Sequence, residues 1–172
     1  MSQSSSRIHA FACVAFACLA LRANAQPVGQ VINLSGPRFG VTYLSEGVVS
    51  RLKKETSIAV SSVVTQFGWQ TEKRYGTLPD GVTPVTEFVF LVGGIEQNQF
   101  LPSVTGLIGF RTSDGFEFGL GPNLTPISSS IAFAAGMTYQ TGSLNVPVNV
   151  AVVPSNAGVR VSVLSGFNLR TR

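Results

Sequence analysis

Strict alternation constrains this chain more than any other feature. From Ser103 to Asn123 it reads S-V-T-G-L-I-G-F-R-T-S-D-G-F-E-F-G-L-G-P-N. Thr112-Ser113-Asp114-Gly115 is turn chemistry, because Asp and Gly tolerate the backbone angles of a tight hairpin. Before the turn, Val104, Ile108 and Phe110 share one face, and Ser103, Thr105, Gly109 and Arg111 share the other. After it, Phe116, Phe118 and Leu120 oppose Glu117, Gly119 and Gly121. Successive side chains of a strand point to opposite sides. The segment is therefore a hairpin with one greasy face and one face of glycine, hydroxyl and isolated charge.

The same grammar recurs along the chain. Gly36–Leu44, Val60–Tyr75 and Val85–Gly94 read as strands one to three, and the hairpin supplies four and five. Ser130–Gln140, Leu144–Val153 and Val159–Leu169 complete a set of eight. The connections are a polar stretch over 45–59, with a short helix over Val48–Glu55, then loops over 73–84, 95–100 and 124–129 and a turn at Thr141–Ser143. Gly119-Leu120-Gly121 lies within a strand and is no phosphate loop, since no helix follows it.

The N-terminus reads as a targeting segment. Ala10–Leu21 is apolar but short for a spanning helix, and Ala23-Asn24-Ala25 is an A-x-A cleavage signal before Gln26. Residues 1–25 are expected to be a signal peptide and 26–172 a single barrel domain. Both cysteines, Cys13 and Cys18, and the only histidine, His9, precede that site. The remainder offers no Ser-His-Asp or Cys-His nucleophile and no His or Cys metal ligand, so the expectation is a non-enzyme with no cofactor and no metal. Arg7 and Arg22 also precede the site. Ten basic residues then face eight acids, which gives no basis for nucleic-acid binding. Charged residues are 12% of the chain, about half the share usual in a soluble domain.

Eight alternating segments suit a soluble barrel with its apolar face inside, or an outer-membrane barrel with that face in lipid. The polar face distinguishes them. Its residues are small or neutral, among them Gly40, Gly68, Gly109, Gly119, Gly136, Gly166, Ala132 and Ala134. Glycines weaken a solvent-facing strand, whereas an eight-stranded lumen is just wide enough for side chains to fill. The fold expected is an all-β, eight-stranded antiparallel up-and-down barrel of outer-membrane type, located in the outer membrane. Arg38, Arg111 and Arg160 are expected to pair with Glu72, Glu87 and Glu117 inside it. Phe67, Trp69, Phe88, Phe116, Phe118 and Val148 are expected to face lipid. Tyr43, Trp69, Phe100, Tyr139 and Phe167 are read as interfacial girdles. Arg51, Lys53 and Lys54, in the first loop, are candidates for lipopolysaccharide phosphates, and a monomer is expected. The alternative is an exported, lipocalin-like soluble barrel, with Phe67, Trp69, Phe88, Phe116 and Phe118 lining a pocket for an apolar ligand.

Five stretches carry a resemblance: S-G-P-R-F-G-V-T-Y-L (35–44), Q-F-G-W-Q-T-E (66–72), 101–123, N-V-P-V-N-V-A-V-V-P-S (145–155) and G-V-R-V-S-V-L-S-G-F-N (158–168). They resemble a small uncharacterised family of exported Gram-negative bacterial proteins and, more widely, small outer-membrane β-barrel proteins. The resemblance implies a barrel and brings no catalytic signature.

Overall fold

The computed structural model describes residues 31–141 and 144–171. The expected signal peptide and the tip of the Thr141–Ser143 turn lie outside these residues. The strands are β1 (Ile32–Leu44), β2 (Val63–Arg74), β3 (Thr83–Gly93), β4 (Leu101–Arg111), β5 (Phe116–Thr125), β6 (Ser128–Thr141), β7 (Leu144–Ser155), β8 (Gly158–Gly166) and a short β9 (Leu169–Thr171). From β1 to β8 each pairs antiparallel with the next, β1 closes the cylinder against β8, and β9 also pairs with β1. Closure leaves no open edge, which a barrel in lipid requires because no water is there to satisfy one.

β9 is β8 resumed. Its pairing with β1, Ser35↔Leu169, keeps the register of Arg38↔Gly166. The ladder lapses where Pro37, which has no N–H to donate, faces Phe167. Arg38 fills the gap: its Nη1 donates to the carbonyl of Pro37 at 2.9 Å and to that of Phe167 at 3.4 Å.

Strand register fixes the girth. Paired residues followed once round the barrel run Asn33, Lys73, Thr86, Ile108, Leu120, Phe133, Val152, Val161 and back to Tyr43. The path returns to β1 ten residues along, from Asn33 to Tyr43. Ten rises of about 3.3 Å against eight strand spacings of about 4.8 Å tilt the strands by roughly 40°. The interior of such a barrel is narrow enough for side chains to reach across it.

Connections at one end are 75–82, 112–115 and 142–143, and those at the other are 45–62, 94–100, 126–127 and 156–157. The loop expected over 124–129 shrinks to a two-residue turn, because β5 and β6 pair as far as Thr125↔Ser128. The longest connection holds helix α1 (Glu46–Thr56). Glu46 in its first turn and Lys53 and Lys54 in its last complement the helix dipole. Ser57, in left-handed conformation, ends it by donating its N–H to Lys53 O. In the 94–100 loop a short 3-10 turn presents exposed Glu96, which accepts from the N–H and hydroxyl of Thr65 and from Gln97 Nε2. The Thr65 hydroxyl bond, above all, holds its carboxyl down at about 2. That lowered value stabilises the loop above the ordinary carboxylate range and is lost as pH falls toward 2. The contribution is small at so exposed a site.

Candidate functional site: a polar plug beneath an apolar chamber

Outside the barrel, the surface is apolar. Phe67, Trp69, Phe88, Phe116 and Val148 are outward and exposed, with Phe67 at 53% and Trp69 at 50%. Phe118 also points outward, its ring 5.9 Å from that of Phe110. Phe39, Val41, Val63, Phe90, Ile108, Leu120, Phe133 and Val150 continue the belt. Tyr43 and Phe100 mark its helix end, and Tyr75, Tyr139 and Phe167 its other end. Trp69 departs from its expected place in a girdle: it pairs with Pro37 and Phe90, well inside the strands. Lys73 is exposed near the end of β2, where a long cationic side chain reaches the headgroups. These aromatics cannot line an internal pocket, which overturns the lipocalin-like alternative.

Inside, the lumen has two halves. Away from the helix, β1, β2, β4 and β5 aim a buried polar cluster at the axis. Arg38 is 1% exposed and Glu72 2%. Arg38 Nε donates to Gln70 Oε1 at 2.9 Å, and its Nη2 to Asn168 Oδ1 at 2.6 Å. Glu72 pairs with Arg74 at 2.6 Å and with Arg111 at 3.0 Å, and accepts from Asn168 Nδ2 at 3.3 Å. Arg111 also pairs with Glu117, which accepts from the Thr138 hydroxyl. The cluster touches β1, β2, β4, β5, β6 and the end of β8, so it crosses the lumen.

Three members of the expected set make no ion pair among the described residues. Arg38 is held by neutral groups and reaches Glu72 only through Asn168. Glu87 lies within 4.8 Å of the carboxylates of Glu72 and Glu117 but makes no ion pair among the described residues. Arg160 sits in the other half of the barrel; its Nη2 donates to Asn123 Oδ1 at 2.7 Å, and no carboxylate is within ion-pair reach among the described residues. Strand alternation put Arg160 on the right face but carried no information about depth. Arg74, absent from the expected set, supplies a cation instead, because it closes on Glu72 from two residues along β2. The three carboxylates have the closeness of a metal site. Arg74 and Arg111, however, already meet Glu72 and Glu117, and cations so close to the cluster oppose a metal ion there.

The helix half is unexpectedly apolar. Val64, Val89, Leu91, Leu107, Ala132, Val153 and Leu164 point inward and are buried. Helix α1 turns Val48 and Leu52 down onto Leu44, Val60 and Val64, forming a roof. Beneath it is a cavity of about 110 Å³ whose lining also includes Thr42, Ser103, Asn123, Arg160 and Ser162. The helix is pinned at its start: Ser45 Oγ accepts from the Val159 N–H at 3.0 Å. A side chain at Gly47 would place its Cβ 2.0 Å from Ala157 O, and one at Gly158, where φ is +133°, 2.0 Å from Ser45 Oγ. Only glycine lets the roof sit this close.

A closed, eight-stranded antiparallel cylinder with an apolar belt outside and its charges inside is a transmembrane β-barrel of the outer-membrane type. No protein-family model matches the chain, and no curated relative does. Among solved structures it is similar to Ail, the attachment invasion locus protein of Yersinia pestis. The Ail crystal structure is 12% identical, over 84% of this chain and 99% of Ail, with a TM-score of 0.49. Ail in a phospholipid bilayer nanodisc is 12% identical over 81% and 99%, at 0.48. A de novo designed transmembrane β-barrel is 16% identical over 85% and 98%, at 0.45. At such identities and scores these neighbours carry no functional weight, and the barrel stands on its own strand ladder.

Proposed function

We propose that this outer-membrane barrel is plugged against solutes and acts at the cell surface as a monomeric interaction protein, with helix α1 as its outward-facing contact. The carrying observation is that α1 roofs the mouth of the barrel and exposes Lys53 and Lys54. Arg51 is half-buried and tied to Glu55 at 2.8 Å. It borders a polar groove of about 510 Å³ formed with Ser128, Ser129, Ser130, Ser155 and Asn156. Two exposed ammonium groups beside hydroxyl-rich turns suit anionic, sugar-bearing headgroups such as those of lipopolysaccharide. The buried cross-lumen network supports the plugged state, since its members fill hydrogen-bonding positions that a solute path would need.

The test uses the purified full chain in micelles, titrated with lipopolysaccharide, with thermal unfolding as readout. Each basic group near an anionic surface is worth roughly 1 kcal/mol, so Lys53→Gln with Lys54→Gln should weaken binding by roughly tenfold or more. An unchanged affinity sinks the headgroup assignment. Stepwise conductance in planar bilayers sinks the plug.

A further inference from the structure

We infer that the chamber beneath helix α1 is a binding site for a small carboxylate carrying a short apolar tail, with Arg160 as its anion-binding group. The site lies inside the lumen and does not depend on the surface reading above.

Two independent observations converge. The first is the chamber itself. It measures about 110 Å³, is walled by Leu44, Val89, Leu91, Leu107 and Leu164, and is roofed by Val48 and Leu52. Its wall is mainly apolar, with Arg160, Asn123 and several hydroxyls as a polar arc, and a cavity of about 150 Å³ takes a benzene ring. The space here therefore fits a tail of roughly five carbons.

The second observation is the charge. Arg160 lines the same chamber and has a neutral amide, Asn123, as its hydrogen-bond partner. A guanidinium has five N–H donors in a fork suited to a carboxylate. At the floor of the lumen Arg74 and Arg111 both meet Glu72. Arg38 also lacks an ion pair among the described residues, but it is saturated by Gln70, Asn168 and two backbone carbonyls at the polar floor. Arg160 lines the apolar chamber with one amide as its side-chain partner and no counter-charge among the described residues. The one carboxylate in the lining, Glu87, is turned toward Glu72 and Glu117 at the floor. Arg160 is level with Leu44 near the mouth, through the pairing of β1 with β8. A bound carboxylate would therefore sit under the helix, with its tail directed down toward Leu91 and Leu164. Asn123 is held by Thr105 Oγ1, which accepts from its Nδ2 at 2.7 Å, so its Oδ1 fixes the guanidinium in place.

The experiment uses the full-length barrel in micelles, with leucine and valine methyl resonances as readout. Hexanoate is titrated against hexanol and hexylamine, and a dodecanoate arm separates a free short acid from a membrane-derived acyl chain. Hexanoate should saturate, shift the methyls of Leu52 and Leu91, and bind at least tenfold tighter than hexanol or hexylamine. Arg160→Met should erase the preference for hexanoate, and Arg160→Lys should keep part of it. Leu91→Trp, which fills the chamber, should abolish binding of all three. Heat-modifiable gel mobility verifies that each variant folds. Equal binding of hexanoate and hexanol, an unchanged preference in the folded Arg160→Met barrel, no saturation at millimolar hexanoate, or tighter binding of dodecanoate would each overturn the assignment.

Discussion

At the scale of single residues, the lumen separates charges that alternation alone would treat alike. Arg111 is buried and lies against two carboxylates, Glu72 at 3.0 Å and Glu117. Removing a buried pair together is often neutral, but removing one partner strands the other charge and costs about 3–5 kcal/mol. Arg111→Met should therefore lower the unfolding free energy of the reconstituted barrel by about that amount. Adding Glu117→Gln should restore part of the loss, because fewer negative charges then remain unopposed. Urea unfolding from vesicles measures both variants, and a double variant no more stable than the single one counts against a shared network. Arg160, with an amide for a partner, should not show this non-additivity with any of the three glutamates.

At the scale of elements, helix α1 is the piece whose placement rests on backbone contact. Gly47 and Gly158 allow it to lie on the β7–β8 turn, where an added Cβ would meet Ala157 O or Ser45 Oγ at 2.0 Å. Gly47→Val cannot be accommodated without moving the helix, a strain on the order of 1–3 kcal/mol. Amides over 48–56 should then exchange with solvent at least tenfold faster, while β1–β8 amides keep their protection. Unchanged exchange over 48–56 would mean that the roof is held by Val48 and Leu52 alone. Much of this architecture is legible in the sequence, because β-structure writes its faces with period two. That is why Phe67, Phe88 and Phe116 fall outside and Arg38, Glu72 and Glu117 inside. The apolar chamber is harder to see. Leu107 shares parity with Arg111 and Gly109, and Leu164 with Arg160 and Gly166. The signal is present, but glycines and charges on the same faces suggest a uniformly polar interior. Arg74 is legible too, since residues two apart on one strand share a face. Closeness along the axis, which keeps Arg160 out of the network, depends on strand tilt and stagger, and a single strand does not encode those.

For the whole molecule, the decisive quantity is depth in the bilayer, and register converts sequence position into depth. A strand tilted by roughly 40° climbs about 2.5 Å of membrane per residue. Phe39 pairs with Phe67 near the middle of β1 and β2, and Ser165 flanks it on β8. Phe118 stands three residues from Gly115, in the turn that begins β5, so it lies close to one edge of the belt. A basic side chain at the midplane of a barrel's lipid face costs roughly 2–4 kcal/mol, falling to about 0–1 near the interface. Phe39→Arg should therefore sharply reduce assembly into vesicles and lower the unfolding free energy by roughly 2–4 kcal/mol. Phe118→Arg should assemble with a loss nearer 1 kcal/mol beyond that of Phe118→Ala, because its guanidinium can reach the headgroups. Subtracting each alanine variant removes the packing contribution, including the contact of Phe118 with Phe110. If the two arginine variants lose equal stability after that subtraction, the belt is not centred on Phe39. If neither loses any, this surface does not meet hydrocarbon at all, since water would solvate an arginine at either position without penalty.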